Sequence, residues 1–431
     1  MLLTRRTVKS KQHYYTRETV LNYILIGYGQ RGKFYADCLR KLGRANLVAL
    51  CDTRQCKLDL AKKNYGLKDE QLFSDANALF AKGRIADLAI IASMDSAHYE
   101  QAVRAMRLGY HLLLEKPIAQ TEQQCREIAA LAKELERKVY VCHVLRYAPI
   151  YTSIKEMLAS GAFGEVVTIS QTEHVGWWHQ AHSYVRGNWR RSEDTSPMIV
   201  AKCCHDLDLF AWLIDKKCEK VSSFGSLYYY NRDHAPAESG DYCYNCKLKD
   251  TCVYNCLKFY TKYPAFAFAS GQYLGDGEDK QAIVECFSKE SNPYARCVFK
   301  CDNDVVDHQV VNMLFEGGVT AQLTMTAFCE GGIRTIRVHA TKGFIEASML
   351  DNIIRYEIYG QEPKELHVTI GETFGGHGGG DEKLVEDVVN DLEGNRNSLC
   401  LTSIDHSVMS HMMGFAAEES RVHGGEVVEV R

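Results

Sequence analysis

Val20-Leu21-Asn22-Tyr23-Ile24-Leu25-Ile26 is an apolar, β-branched and aromatic run that stops at Gly27-Tyr28-Gly29-Gln30-Arg31-Gly32; Lys33–Leu42 then carries apolar residues at helical spacing. A strand, G-x-G-x-x-G and a helix in that order form the cradle for a dinucleotide pyrophosphate. Gly27 permits the tight turn, Gly29 lets the phosphates approach the backbone, and Gly32 lets helix and strand pack closely. The helix N-terminus, reached through Tyr28, Gln30 and Arg31, offers free N–H donors to the phosphates.

A second strand, Asn46–Cys51, ends at Asp52, twenty residues past Gly32. A carboxylate there accepts hydrogen bonds from the adenosine ribose hydroxyls and repels a 2′-phosphate, which points to NAD. Arg54, two residues on, is able to hold that phosphate instead, so NADP stays open. Apolar strands at Asp87–Ser93, Tyr110–Leu114 and Val139–Val144 alternate with helices at Ser96–Leu108 and Thr121–Arg137. This alternation predicts a parallel doubly wound sheet, with ligands beyond the carboxyl ends of its strands. Ser93, Asp95, His98, Glu115, Lys116, Arg146 and Tyr147 fall at those ends and outline a site.

The 431 residues suffice for two to four domains. Lys and Arg total 51 and Asp and Glu 55, a net charge of −4 that argues against a polyanion such as nucleic acid as the main partner. No apolar run approaches the roughly 20 residues needed to cross a bilayer. The basic first twenty residues (Arg5, Arg6, Lys9, Lys11, Arg17) lead into no apolar signal core, so a cytoplasmic chain with no membrane partner is expected. The 17 cysteines are then read as thiols or metal ligands. Cys38, Cys51, Cys142 and Cys297 read as small buried hydrophobes.

Glu115-Lys116-Pro117, directly after the Tyr110–Leu114 strand and behind the glycine motif, resembles the Gfo/Idh/MocA oxidoreductases from about residue 21 onward. The resemblance implies a Rossmann domain (21–148) after an N-terminal extension (1–20). A C-terminal α/β domain (149–431) follows, with a large open-faced, mostly antiparallel sheet, assembling as a homodimer or homotetramer. Its last helix, Ser403–Val422, is expected to return to the Rossmann domain. It also implies that Lys116 lies by the nicotinamide and the substrate hydroxyl; a lysine beside a cationic ring has a lowered pKa suited to proton exchange. Family members carry Asp-x-x-x-His-x-x-Asp further on, with the histidine as acid/base. His205 and Asp208 match; Ala201 stands where the upstream acid belongs. Lys202 is a candidate to replace that acid or to bind an anionic or polyhydroxylated substrate.

Trp177–Arg191 interleaves rings with hydrogen-bonding side chains in a way that suits a sugar, and Tyr184, Arg186, Trp189 and Arg190 are its candidate contacts. The run Gly375–Gly380 resembles a loop that folds over the sugar pocket in part of the family, with His377 and Asp381 as candidates. Asp304, Asp307 and His308 either face the pocket or line the wet face of the sheet. Cys243-x2-Cys246-x5-Cys252-x3-Cys256, inside a polar insertion at 230–277, is a candidate structural zinc site weighed evenly against free thiols. An iron–sulfur cluster ranks below both, because no redox partner is implied. The leading function is an NAD(P)-dependent dehydrogenase of a sugar, cyclic polyol or sugar derivative. The alternatives are an NAD-dependent glycoside hydrolase working by transient oxidation, and a non-catalytic sensor kept open by Ala201.

Overall fold

The computed structural model describes residues 20–275, 277–370, 377–395 and 398–431. Most of the N-terminal extension and the start of the glycine run at 375–376 lie outside these residues.

Six strands, β1 (Leu21–Ile26), β2 (Ala45–Cys51), β3 (Leu72–Phe73), β4 (Leu88–Ile91), β5 (His111–Leu114) and β6 (Val139–Val141), form a parallel sheet in the order β3-β2-β1-β4-β5-β6. The central strands are buried on both faces, which explains their unbroken apolar runs. Burying an aliphatic side chain such as Ile24 or Ile90 stabilises the fold by roughly 1.5–3 kcal/mol. The helix after β1, Gln30–Leu42, and the helix after β4, Asp95–Arg107, begin on either side of the point where strand order reverses. That reversal opens a crevice at the carboxyl edge.

Nine further strands form the second sheet: β7 (Val166–His174), β8 (Cys218–Ser226), β9 (His308–Phe315), β10 (Thr320–Thr326), β11 (Ile333–Ala340), β12 (Gly343–Ser348), β13 (Ile353–Ile358), β14 (Lys364–His367) and β15 (Val428–Glu429). Their order is β14-β13-β12-β11-β7-β10-β9-β8-β15, and every pairing is antiparallel except β10 with β7. Period-two patterning is plain in β10, where Ala321, Leu323 and Met325 are buried while Thr320 and Gln322 face outward. The helices Cys204–Ile214 and Ile404–Val422 cover the buried face, and the other face stays open. Ile404–Val422 also touches the first sheet's layer: the Ile118 amide donates to His411 Nε2 at 2.9 Å, and Val141 donates to the Thr402 carbonyl at 2.9 Å.

The excursion between β8 and β9 is larger and less polar than the expected 230–277. Its helices Cys256–Lys262, Pro264–Ala269 and Lys280–Phe287 enclose an apolar core of their own, with Tyr260 stacked on Phe287 at 3.9 Å. Aromatic residues scattered over short helices give no clear periodicity, so this core is invisible in the linear pattern. The insertion reaches the first sheet's layer, where Arg54 donates to the Gly271 carbonyl at 2.8 Å and Lys57 lies over the Phe268 ring at 4.3 Å.

Candidate active site

The glycine loop has the shape its spacing predicts. Gly27 has φ of 93°, and a Cβ there would lie 2.4 Å from the Ala92 carbonyl oxygen. A Cβ on Gly32 would come within 1.9 Å of the Gly27 carbonyl, whereas one on Gly29 would meet nothing within 4 Å. The helix therefore packs hard against β1 while leaving open space where a pyrophosphate would sit, and no side chain caps its N-terminus. Gln30 and Arg31 contribute their helix-start backbone to this cradle. The Asp52 carboxylate is fixed by the Tyr28 amide at 2.8 Å and the Arg54 amide at 3.0 Å, one bond to each oxygen. Its remaining lone pairs are free for ribose hydroxyls. Tyr28 itself is fully buried, its ring edge-on to Tyr65, so only its backbone faces the cleft.

Across the crevice, β5 delivers Glu115 and Lys116. Glu115 Oε1 accepts from Arg31 Nε at 2.7 Å and from Tyr35, and Arg31 continues to Asp381. Asp381 in turn holds His377 Nδ1 at 2.8 Å. Burial alone would raise the Asp381 pKa; Arg31 and then His377 outweigh it and hold the carboxyl below its usual range. The Lys116 ammonium donates to the Ala201 carbonyl at 2.8 Å, just ahead of the helix that starts at Cys204. His205 in that helix's first turn is buried. Its ring lies 5.8 Å from those of His143 and His377, and its Nδ1 has no hydrogen-bond partner among the described residues. Burial first, then the charge of Lys116, pushes its pKa well below the ordinary histidine value, so it is a neutral imidazole at pH 7.

Lys202 finds its partner on β7: its ammonium is 3.2 Å from Glu173 Oε1. Arg334 on β11 closes the group, with Nε 2.8 Å from Glu173 and 2.7 Å from Asp206. Burial would raise the Glu173 pKa, but Arg334 and Lys202 overcome it and keep it ionised. His179, its ring 5.6 Å from Tyr184, is also held well below its ordinary value by burial and by Lys202. Trp189 Nε1 donates to both oxygens of Asp95 at 3.2 Å, joining the second domain to the edge of β4.

Several expected contacts lie elsewhere. Arg146 and Asp208, expected at cofactor and substrate, pair with each other through two bonds of 2.6 Å, with His143 2.8 Å from the same carboxylate. A buried guanidinium and carboxylate satisfy each other here, so both belong to the scaffold. Arg186 turns away from the pocket into the insertion, donating to the Arg296 and Tyr254 carbonyls at 2.7 Å each. Arg190 is held on the surface by Asp302 at 2.8 Å. Ser93 bonds Gln101, and His98 ties the Pro117 carbonyl to the Ser93 carbonyl, which makes them braces of the β4 and β5 ends. Asp307 accepts from the Tyr228 and Tyr229 amides, Asp304 from the Ser192 amide, and His308 lies against Asp307; all three serve the loops.

The zinc reading needs correction. Zn–S bonds of about 2.3 Å place tetrahedral sulfurs about 3.8 Å apart. Among the described residues, the only trio of His, Cys, Asp or Glu ligand atoms lying within 4.8 Å of one another is His143, Cys204 and His411. Cys243, Cys246, Cys252 and Cys256 therefore do not close on one zinc. In that trio His411 is already engaged at both nitrogens, by Ile118 and by Ser407 and Ser410. Cys38, Cys51 and Cys142 are buried as expected; Cys297 is only half-buried.

Glu173, His179 and Arg334 escaped the sequence reading. The first had a visible signal: in β7 the inward positions Ile169, Gln171 and Glu173 include two polar residues on a core face. His179 and Arg334 had none, because only the pairing of β7 with β11 brings Arg334 to Glu173.

A glycine cradle with an acid at β2, facing a buried lysine–histidine group where the two domains meet, defines a dinucleotide-binding oxidoreductase. The chain belongs to the Gfo/Idh/MocA family: residues 21–143 match the oxidoreductase family's NAD-binding Rossmann fold, and residues 155–430 its C-terminal alpha/beta domain. YteT of Bacillus subtilis (strain 168), named as an oxidoreductase, is 28% identical over 321 residues, 70% of this chain and 72% of that protein. The inositol 2-dehydrogenase of Rubrobacter xylanophilus is 27% identical over 205 residues, 46% of this chain and 53% of its own. An Agrobacterium radiobacter oxidoreductase solved with NAD+, L-tartaric acid and magnesium superposes with a TM-score of 0.68 at 16% identity, over 96% of this chain and 99% of that one.

Proposed function

We propose that this protein transfers hydride between a hydroxyl-bearing carbon of a sugar, cyclic polyol or sugar derivative and NAD. The observation that carries the reading is the convergence of Lys116, Lys202 and His377 with the unpartnered His205 at the carboxyl edge of the six-stranded sheet. The name of the inositol 2-dehydrogenase relative supports a polyhydroxylated substrate. On this reading residues 21–148 hold the dinucleotide and 149–431 the substrate, and the open face of the second sheet joins copies of the chain into a dimer or tetramer.

Bound NAD supplies the hydride acceptor. His205, neutral at working pH, takes the hydroxyl proton. Burial first, and the Lys116 charge second, make it a weak base, but that same charge favours the alkoxide. Lys116 polarises the same oxygen, and Glu173 stands in for the acid absent at Ala201 by orienting Lys202. For the cofactor, Asp52 favours the free ribose, and Arg54 is engaged by the Gly271 carbonyl rather than free for a 2′-phosphate. Lys116→Ala and His205→Ala should each lower turnover by about 10²–10⁴-fold with dinucleotide affinity nearly unchanged. Full activity in both variants, measured on whichever sugar or polyol reduces NAD with wild type, would remove this assignment.

One observation favours a cofactor that stays bound. The insertion closes over Arg54 and Lys57, beside the adenosine end of the crevice. That suits a glycoside hydrolase that oxidises, eliminates, hydrates and re-reduces one sugar ring without net consumption of NAD. Dinucleotide found at near one per chain in purified protein, together with cleavage of chromogenic glycosides, would select this second reading.

A further inference from the structure

Behind His205 lies a buried row of imidazoles to which the proton transfer gives no role. His143 follows β6 directly and is wholly excluded from water, as is His411 on the helix Ile404–Val422. The His143 ring meets the His205 ring at 5.8 Å and 66°, and stacks on the His411 ring at 5.5 Å and 16°. His143 Nδ1 lies 2.8 Å from Asp208 Oδ1, and Arg146 holds that carboxylate through two bonds of 2.6 Å.

Among the described residues, His143 Nε2 and His205 Nδ1 are both sealed from water and both lack a hydrogen-bond partner. Their other neighbours are committed. The Ile118 amide donates to His411 Nε2 at 2.9 Å, which puts the His411 proton on Nδ1, 3.1 Å from the Ser407 carbonyl. Burial pushes the Cys204 thiol beside them up to about 12, so it stays neutral. The two orphan nitrogens are left to each other.

The chemistry of a base dictates how they pair. For His205 Nε2 to accept a hydroxyl proton from the cleft, the neutral ring must carry its own proton on Nδ1. That buried N–H needs an acceptor, and Ala201 has no side-chain oxygen to offer one. Asp208 keeps the His143 proton on Nδ1, so His143 Nε2 presents a lone pair. Hydrogen bonds of this kind are often long in the free enzyme and tighten once substrate binds.

Resting on the dehydrogenase reading above, we propose that His143 is the positioning residue for His205. It passes on the orientation set by Asp208, fixing the His205 proton on Nδ1 and leaving Nε2 to take the substrate's hydroxyl proton. As hydride leaves the carbon for the nicotinamide, that proton moves to Nε2 and the O–H electron pair becomes the second bond of the carbonyl. The resulting imidazolium keeps its Nδ1–H on His143, and the Asp208 charge behind it offsets the new positive charge.

His143→Phe keeps a ring against His411 and leaves the Arg146–Asp208 pair in place. It should lower kcat about 10–100-fold, at unchanged KM and dinucleotide affinity, on whichever sugar or polyol reduces NAD with wild type. In a His205→Ala background the same substitution should change kcat by less than about twofold, because His143 acts only through His205. An equal loss in both backgrounds would overturn the proposal and leave the dehydrogenase reading standing. So would wild-type kcat in His143→Phe while His205→Ala is impaired. Full activity in His205→Ala would instead remove that reading, and this proposal with it. A further readout needs no substrate. Nitrogen-15 spectra of ring-labelled protein at neutral pH, with the His205 signals assigned by their loss in His205→Ala, should show His205 protonated at Nδ1. A wild-type His205 protonated at Nε2 would overturn the proposal even if His143→Phe fails to fold.

Discussion

Arg334 is the residue on which the buried side of the pocket depends. It pairs with Glu173 and Asp206 at once, and each is almost wholly excluded from water. Arg334→Met should destabilise the protein by about 3–5 kcal/mol in chemical denaturation, because it removes the cation that Glu173 and Asp206 share in a buried site. At the other end of the crevice, Asp52→Ser should shift cofactor preference from NAD toward NADP, measured as the ratio of kcat/KM values. An unchanged ratio would mean that Arg54 stays on Gly271. Histidines give a pH signature. Burial pushes His182 and His411 down to about 3. Below the unfolded value near 6.5 the unfolded chain binds protons that the native chain refuses, so stability falls as pH drops from about 6.5 toward 3. Each histidine contributes a slope of about 1.4 kcal/mol per pH unit inside that window. Carboxylates such as Asp208 and Asp381, whose folded values are depressed, add their own loss once pH falls below their unfolded value near 4. Denaturation at pH 7 and pH 5 should show the histidine loss, and His182→Gln should flatten it.

At the scale of elements, the turn between β1 and its helix separates folding from binding within six residues. Gly32→Ala drives a Cβ into the Gly27 carbonyl, a backbone atom that cannot yield, and should cost at least about 2 kcal/mol of stability. Gly29 has ordinary extended backbone angles and open space where its Cβ would go. Gly29→Ala should therefore fold normally yet bind dinucleotide at least about tenfold more weakly, or about 1.4 kcal/mol, by titration calorimetry. Equal affinity would place the pyrophosphate elsewhere. This turn, the alternating strands and helices, and the ends that carry Asp52 and Lys116 were legible in sequence because each is a local pattern. The insertion was not: its aromatic core forms between helices too short to show a period.

At the scale of the whole molecule, the first sheet brings the cradle, the second brings His205, Lys202 and Glu173, and the insertion reaches across to the adenosine end. Lys57 is 1% exposed, closed over by Phe268, and burial lowers its pKa to about 8. Phe268→Ala should open this end and speed dinucleotide release about tenfold in stopped-flow fluorescence, with little change in the Lys116–His205 chemistry. An unchanged release rate would show that the insertion does not gate the cofactor.

Sequence by itself determined the elements, the parallel sheet and the glycine turn, since these follow from glycine stereochemistry, hydrophobic periodicity and the topology of alternating strands and helices; Lys116 and His205 were singled out by the family resemblance. Tertiary structure decided which charges meet. Arg146 was taken by Asp208, Arg186 by the insertion, and Lys202 by Glu173. Those pairings join residues dozens to hundreds of positions apart. What selects them is the high cost of leaving a charge or a polar group buried without a partner, and that cost is set in three dimensions.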